Sequence, residues 1–298
     1  MSRPIGTWLD AVGAGPDRFE HFDELATGPL PSRLDDAGCA LRAGFWNTPE
    51  IAGEKALRAR ITGDVVVWVD GTPGTALLRA WVRTVVDAAG IGAVWTGRIT
   101  GRTTTTPWTS LVAPSDEHEA RADQVLWKAA TSLDPHEVDA LRTSVRDDDL
   151  DVRRALLRQY PDAVTGLDHW EHALLDRLLT LPALHAAVGR VMGHHPGSGI
   201  GDLTLMAALS RLERHGAVTI DRSRSRGDPP VCIEPLGHAL IAREATVLGV
   251  ARYGTVGGVQ LEDPTGVWAT EGAQLRPVRV PRRPVSPDYG RIDRTTRR

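Results

Sequence analysis

Asp70 ends the apolar run 65–69, Val-Val-Val-Trp-Val, and Gly71, Thr72, Pro73, Gly74 and Thr75 follow it. In an open α/β sheet, ligands sit beyond the carboxyl ends of the strands, where the first amides of the next helix are free to donate. That placement makes Asp70, Thr72 and Thr75 candidates for a ligand crevice. Asp70 could take a ribose hydroxyl or a metal ion, with Arg79, Asp23 and Glu24 as the further polar groups an enzyme would need to converge there. The loop matches neither G-x-x-x-x-G-K-[ST] nor G-x-G-x-x-G, so it lacks both phosphate-binding signatures. The simpler reading has Asp70 capping the helix or its own loop.

A second set of residues is basic. Arg211 and Arg214 lie on a helical stretch, 202–215, and Arg222, Arg224 and Arg226 lie in the polar loop RSRSRGDPP that follows. The order helix, turn, helix and two-stranded ribbon is that of a winged helix, whose second helix enters the major groove while the wing touches phosphate. Residues 201–226 carry five Arg against Asp202, Glu213 and Asp221, a net +2. That is weak for a sequence-specific reader. Residues 276–298 add eight Arg against Asp288 and Asp293, a net +6, which could supply a phosphate clamp. The alternative is a protein-contact module with a solubilising tail.

Other chemistry is thin. His169 and His172 stand at i, i+3 on one helix face, a spacing compatible with a shared metal ion. Nothing completes a four-ligand set, so an amphipathic helix with no metal is expected. The acidic run 147–151 lacks calcium-loop spacing and reads as a solvated helix start. No G-x-S-x-G or other nucleophile constellation occurs. Cys39 and Cys232 form no CxxC pair and read as buried small hydrophobes. No cofactor is indicated.

The elements that must position these residues follow from periodicity. Helices are expected at 7–12, 35–46 and 48–60, and a strand at 18–25. The run 65–69 reads as a strand buried on both faces of a parallel sheet. A helix from near Thr75 to Gly90 and a strand at 92–98 complete a βαβ unit. Residues 103–106, four threonines, read as exposed extended chain. From 115 to 181 everything reads helical. Helices at 183–192 and 202–215, strands near 217–221 and 231–233, and a helix at 236–246 make up the last part.

Composition agrees with a folded chain. Its 298 residues are 41% hydrophobic and 24% charged, long enough for two cores. Arg far outnumbers Lys, a codon-level hint of a GC-rich bacterial genome. The opening Met1-Ser2-Arg3-Pro4 stretch lacks the apolar run of a signal peptide, and no run of some eighteen apolar residues occurs. With two unpaired cysteines, these features predict a cytoplasmic protein without a membrane span.

Several strings together resemble a known family. They are Asp23-Glu24-Leu25 with Gly28-Pro29-Leu30-Pro31, the strand ending in Trp68 before the Arg79 helix, and Gly166-Leu167 with Glu171 and Leu174-Leu175. Gly201-Asp202 with Leu209 and Leu212 follows, then Tyr253-Gly254-Thr255-Val256-Gly257-Gly258-Val259-Gln260-Leu261 before Trp268. The chain thus resembles, from about Thr7 to Leu275, bacterial proteins of domain-of-unknown-function family 1835. Each string is short, and the resemblance implies architecture rather than activity. Two departures stand out. The family pattern opens with an apolar strand and a Gly-Asp-Ser-like turn, whereas this chain starts near the following helix; either that strand is lost or the start codon is set late. After Trp68 the family places acidic and amide side chains, where this chain has Gly71, Thr72, Pro73, Gly74 and Thr75.

The expected architecture is therefore a Rossmann-like α/β domain over 1–112 with a mostly parallel sheet, a helical segment over 113–181, a winged-helix-like α+β domain over 182–275 and a disordered basic tail over 276–298. The expected function is non-enzymatic binding or regulation, in which the winged helix and tail contact a partner protein or DNA. The competing expectation is an enzyme acting on a phosphate-bearing or nucleotide-like ligand beside Asp70.

Overall fold

β1 (Val65–Val69) and β2 (Val94–Arg98) pair in parallel, Val65 opposite Val94 through Val69 opposite Arg98. A computed structural model describes residues 25, 28–46, 53–90, 92–98, 112–114, 116–195, 198, 200–223 and 227–281. Among these it shows a mixed α/β protein with ten α-helices and small sheets. The expected elements at 7–12, 18–24 and 103–106 lie outside the described residues. By contact density the chain divides into two units, residues 1–153 and 154–298.

In the first unit, α1 (Asp36–Trp46) and α2 (Glu54–Arg58) precede β1. α3 (Pro73–Ala89) joins the two parallel strands. Its start is written in Thr72-Pro73: the Thr72 hydroxyl accepts from the Thr75 amide, and Pro73 occupies the first turn, where no intrahelical N–H is needed. Ala76, Leu77, Ala80, Trp81 and Val85 recur at helical spacing and are all buried. β2 begins after Gly92, whose φ of 68° and close approach to the Gly63 carbonyl leave no room for a Cβ. Asp64 then clamps the strand, accepting from the Ala93 amide at 2.8 Å and the Trp95 indole at 3.0 Å.

Two features of this sheet differ from expectation. β3 (Val112–Pro114) joins β2 antiparallel, giving the order β1-β2-β3, so one of the two pairings is parallel rather than most. Strand direction leaves no mark in an apolar pattern. Among the described residues β1 is also an edge strand: Val67 and Val69 are buried while Val66 is 42% exposed, so only one face is fully covered. The unit continues with α4 (Glu117–Thr131), α5 (Pro135–Ala140) and α6 (Asp147–Leu157), the last with residues on both sides of the division. Asp116 and Asp134 cap α4 and α5, their side chains accepting from the Glu119 and His136 amides.

The second unit is built on α7 (His169–Leu178), α8 (Leu184–His194) and α9 (Asp202–His215). Asp168 and Glu171 form a reciprocal capping box on α7. Leu167, Trp170, Leu174, Leu178, Val188, Leu205, Leu209 and Leu212 share one core with the ribbon strands β4 (Val218–Ile220) and β5 (Val231–Ile233). Gly216, at φ 76°, ends α9 in the left-handed conformation that allows the chain to turn directly into the ribbon. β4 and β5 pair antiparallel, Val218 opposite Ile233. The far foot of the ribbon is tied to the start of α8: Leu184 donates to the Pro229 carbonyl at 2.9 Å and Val231 to that of Pro182 at 3.0 Å.

α10 (Pro235–Ile241) is shorter than the helix expected at 236–246. Arg243 takes φ 62° and the Glu244 amide closes on the Ala239 carbonyl, which stops the helix. Residues 158–168, expected to be helical, are instead a series of turns between α6 and α7. A hairpin, β6 (Thr255–Val256) with β7 (Val259–Gln260), leads to a sheet of β8 (Glu262–Asp263), β9 (Gly266–Glu271) and β10 (Arg276–Val280) in the order β10-β9-β8. The first five residues of the expected disordered tail are thus a paired strand. Val278 lies opposite Ala269, and the Arg279 guanidinium sits 5.2 Å from the Trp268 ring centroid, giving the basic residues apolar and aromatic partners. No helix of the described residues is long and apolar enough to cross a membrane.

Candidate functional site

At the carboxyl end of β1, a single oxygen of Asp70 accepts three hydrogen bonds: from the Thr72 amide at 3.0 Å, the Thr72 hydroxyl at 2.8 Å and the Thr75 hydroxyl at 2.9 Å. Asp70, Thr72 and Thr75 are therefore brought together, but by one another. They close the loop and cap α3, which is the simpler of the two sequence readings. Asp23 and Glu24 lie outside the described residues.

Arg79 is engaged elsewhere. It is buried, and its guanidinium donates to both oxygens of Asp123 at 3.0–3.2 Å and to Asp148 at 2.9 Å. Burial alone would lower the affinity of Arg79 for its proton, but the hydrogen bond and charge of Asp123, then Asp148, raise it. Arg146 also donates to Asp123 at 2.9 Å, and Ser144 donates to Asp149 at 2.5 Å. Arg79 thus joins α3 to α4 and α6 rather than lining a crevice. Sequence reading missed Asp123 and Arg146, whose only signal was an acid and a base inside or beside otherwise amphipathic helices.

The arginines of the second unit do not share one outer face. Arg211 donates to Glu171 at 2.8 Å and to Asp168 at 2.5 Å, and only 30% of its side chain is exposed. Burial works to lower the Arg211 pKa, but Asp168 and Glu171 raise it. Burial, then the Asp168 charge, pushes the Glu171 carboxyl up to about 7 against the pull of Arg211. Arg222 is exposed but forks onto Glu213, at 2.6 and 2.7 Å. Arg214 is exposed, and Arg224 and Arg226 lie outside the described residues. The exposed stripe of α9 is Leu203, Ala207, Ser210 and Arg214, at i, i+4, i+7 and i+11. Leu203 is 64% exposed.

The paired histidines diverge. His172 shares a 2.8 Å hydrogen bond with Thr165, while His169 packs edge-on to Trp170 and His195, with ring centroids 4.8 and 5.3 Å away. Among the described residues, no three His, Cys, Asp or Glu side chains are grouped to hold a metal ion. Both cysteines are free thiols; Cys39 is half-buried and Cys232, on an outward position of β5, is exposed rather than buried as expected.

His169 and His215 are each lowered to about 4. For His169 the causes are burial, then the charge of Arg158, His195 and His172; for His215, burial, then Arg214 and Arg211. Folded values below the ordinary 6.5 mean that the fold favours the neutral rings. Their contribution is complete above pH 6.5 and lost as pH falls from 6.5 towards about 4. The expected loss for the two together is on the order of 3 kcal/mol, after allowance for their partial exposure. Glu171, with its raised value, acts in the opposite direction over part of this range. Urea midpoints of the parent and of a His169→Gln/His215→Gln variant across this range check the prediction: the variant should show a flatter slope.

Comparison with family models, with curated proteins and with solved structures finds no match to this chain.

Proposed function

We propose that the chain is a non-enzymatic binding protein whose second unit, a winged helix, contacts a partner protein through the exposed stripe of α9. The observation that carries this reading is the chemistry of that stripe. Leu203, Ala207 and Ser210 precede a single cation, Arg214, and Asp202 beside them cancels its charge. A helix that reads DNA bases does so chiefly with Arg, Lys, Asn or Gln, with Ser, Thr and Ala as lesser contacts, and of the chief readers this stripe offers one, Arg214. Arg211, the other cation of α9, is held by two carboxylates, and Arg222 by a third. An exposed leucine on a near-neutral helix favours a protein surface.

The helix, helix and ribbon order of α8, α9, β4 and β5 supports the winged-helix assignment, and the parallel β1–α3–β2 unit supports a small Rossmann-like first domain. Resemblance to family 1835 belongs to the same reading. The local bonding of Asp70 weighs against the enzyme alternative, because one carboxylate oxygen and the Thr72 and Thr75 hydroxyls are engaged with one another in closing the loop.

The test is site-specific photo-crosslinking in cells, with the reactive residue at position 203 and, as control, at position 125, an exposed valine of α4. A discrete, nuclease-resistant protein adduct at 203 but not at 125 is expected. A nuclease-sensitive adduct at 203 would replace the partner protein by nucleic acid, and no adduct at 203 would remove α9 as the contact.

A further inference from the structure

We propose that the groove between α7 and α8 binds an acidic, extended segment of polypeptide, its carboxylates held by Arg177 on one wall and Arg190 on the other. The groove is open, has a volume of about 550 Å³ and is lined by Arg177, Thr180, Leu181, Ala186, Gly189 and Arg190. It is distinct from the α9 stripe and rests on the protein-contact reading only in taking the occupant to be a polypeptide.

The two guanidiniums are the first argument. Neither Arg177 nor Arg190 has an ion pair among the described residues, although Arg177 is half-buried. Of the other described arginines that are not exposed, Arg79, Arg146, Arg153, Arg211 and Arg279 each pair with a carboxylate, and Arg42 and Arg83 donate to backbone carbonyls. Asp228, beside the start of α8, is occupied: its two oxygens accept from the His185 and Ala186 amides at 2.6 and 2.8 Å. The surroundings are also cationic. His195 is lowered by burial and then by the charges of Arg158, His194 and Arg177, with no acid opposing them. A guanidinium fork is shaped for an oxyanion, most of all a carboxylate or phosphate.

The floor decides which kind of ligand. Leu181 and Ala186 offer apolar surface, Thr180 a hydroxyl, and Gly189 no side chain at all, so a ligand main chain can approach the helix closely. An open groove cannot enclose a small molecule as most small-molecule sites do. Two cations on opposite walls do not track a nucleic-acid backbone, which asks for a stripe of positive charge. Successive side chains of an extended peptide point to opposite sides. Adjacent acids in one segment can therefore reach Arg177 and Arg190 at once.

The experiment uses the full chain and a fluorescein-labelled peptide of Glu-Glu-Ala repeats, with the matching Gln-Gln-Ala peptide as control and fluorescence anisotropy as the readout. The Glu peptide is expected to bind at low salt and the Gln peptide not to. Arg177→Gln and Arg190→Gln should each weaken binding by about tenfold or more. Gly189→Leu should weaken it to a similar degree without touching any charge. A Cβ at Gly189 meets open space, and leucine is the better helix former, so this variant keeps its thermal midpoint. Leu203→Asp should leave peptide binding unchanged, which separates failure of the groove from failure of the α9 reading. No binding of the Glu peptide by the parent, or binding that survives Gly189→Leu, overturns the proposal. So does displacement of the bound peptide by a random DNA duplex that itself depends on Arg177 and Arg190.

Discussion

Replacing Asp123 with alanine is expected to lower the unfolding free energy by about 3–5 kcal/mol, among the largest effects any single substitution in the chain should have. Asp123 is 0% exposed and serves two arginines, Arg79 and Arg146, neither of which can reach bulk water easily. Removing it leaves buried positive charge with too few acceptors, and that uncompensated charge is what costs. Asp148, the other partner of Arg79, is 25% exposed, so Asp148→Ala should cost only about 1 kcal/mol. Asp123→Asn keeps the volume but not the charge and should fall between them. Urea unfolding followed by tryptophan fluorescence checks the series, with Trp81 and Trp127 both buried in the first unit. A midpoint for Asp123→Ala close to that of Asp148→Ala would mean that the network is dispensable.

Arg211→Ala should be comparably severe, again about 3–5 kcal/mol, and its cost should grow with pH. The substitution strands Asp168 and Glu171 beside each other at the start of α7. Glu171 already sits near 7, raised by burial and by Asp168, and without Arg211 it should rise further. A carboxyl whose folded value lies above its ordinary 4.5 holds its proton in the fold. Its favourable share is complete below 4.5 and lost as pH rises through the folded value. The Arg211→Ala deficit should therefore be smallest at pH ~5 and largest at pH ~8. Urea midpoints at those two values, parent against variant, give the answer; a pH-independent deficit would show that Glu171 is not the stranded group. The same variant bears on function. An Arg211 that read DNA would be missed chiefly in duplex binding, whereas this one should be missed chiefly in folding.

Much of the frame was legible in the sequence because local rules agreed with tertiary packing. The helix expected from near Thr75 to Gly90 is α3, which starts two residues earlier, at Pro73, and the expected helix at 202–215 coincides with α9. The parallel β1–β2 pair was likewise readable from a strand, a helix and a strand in close order. What failed was long-range. Nothing local tells that β3 runs antiparallel to β2, or that Arg276–Val280 finds a partner in β9. The basic residues misled for a related reason. Counting arginines along 201–226 treats them as one face, but helix α9 turns Arg211 inward to carboxylates forty residues away in sequence. Charge read along a chain says nothing of which counter-charge the fold supplies. The Asp70 loop was read correctly in its simpler form because its three partners are all within five residues.

β9 carries one more consequence. Thr270 lies beside Asp162 in a parallel bridge, its amide donates to the Pro161 carbonyl at 2.8 Å, and its carbonyl accepts from the Ala163 amide at 3.0 Å. The opening and closing stretches of the second unit are thus stitched together across more than a hundred residues of chain. Synthesis on the ribosome delivers the opening stretch first, and Thr270 emerges more than a hundred residues later. Residues 161–163 must wait, with those backbone groups unpaired, until β9 leaves the exit tunnel. The second unit should therefore gain resistance to protease only after Thr270 has emerged, and a nascent chain stalled at residue 260 should still be cut there.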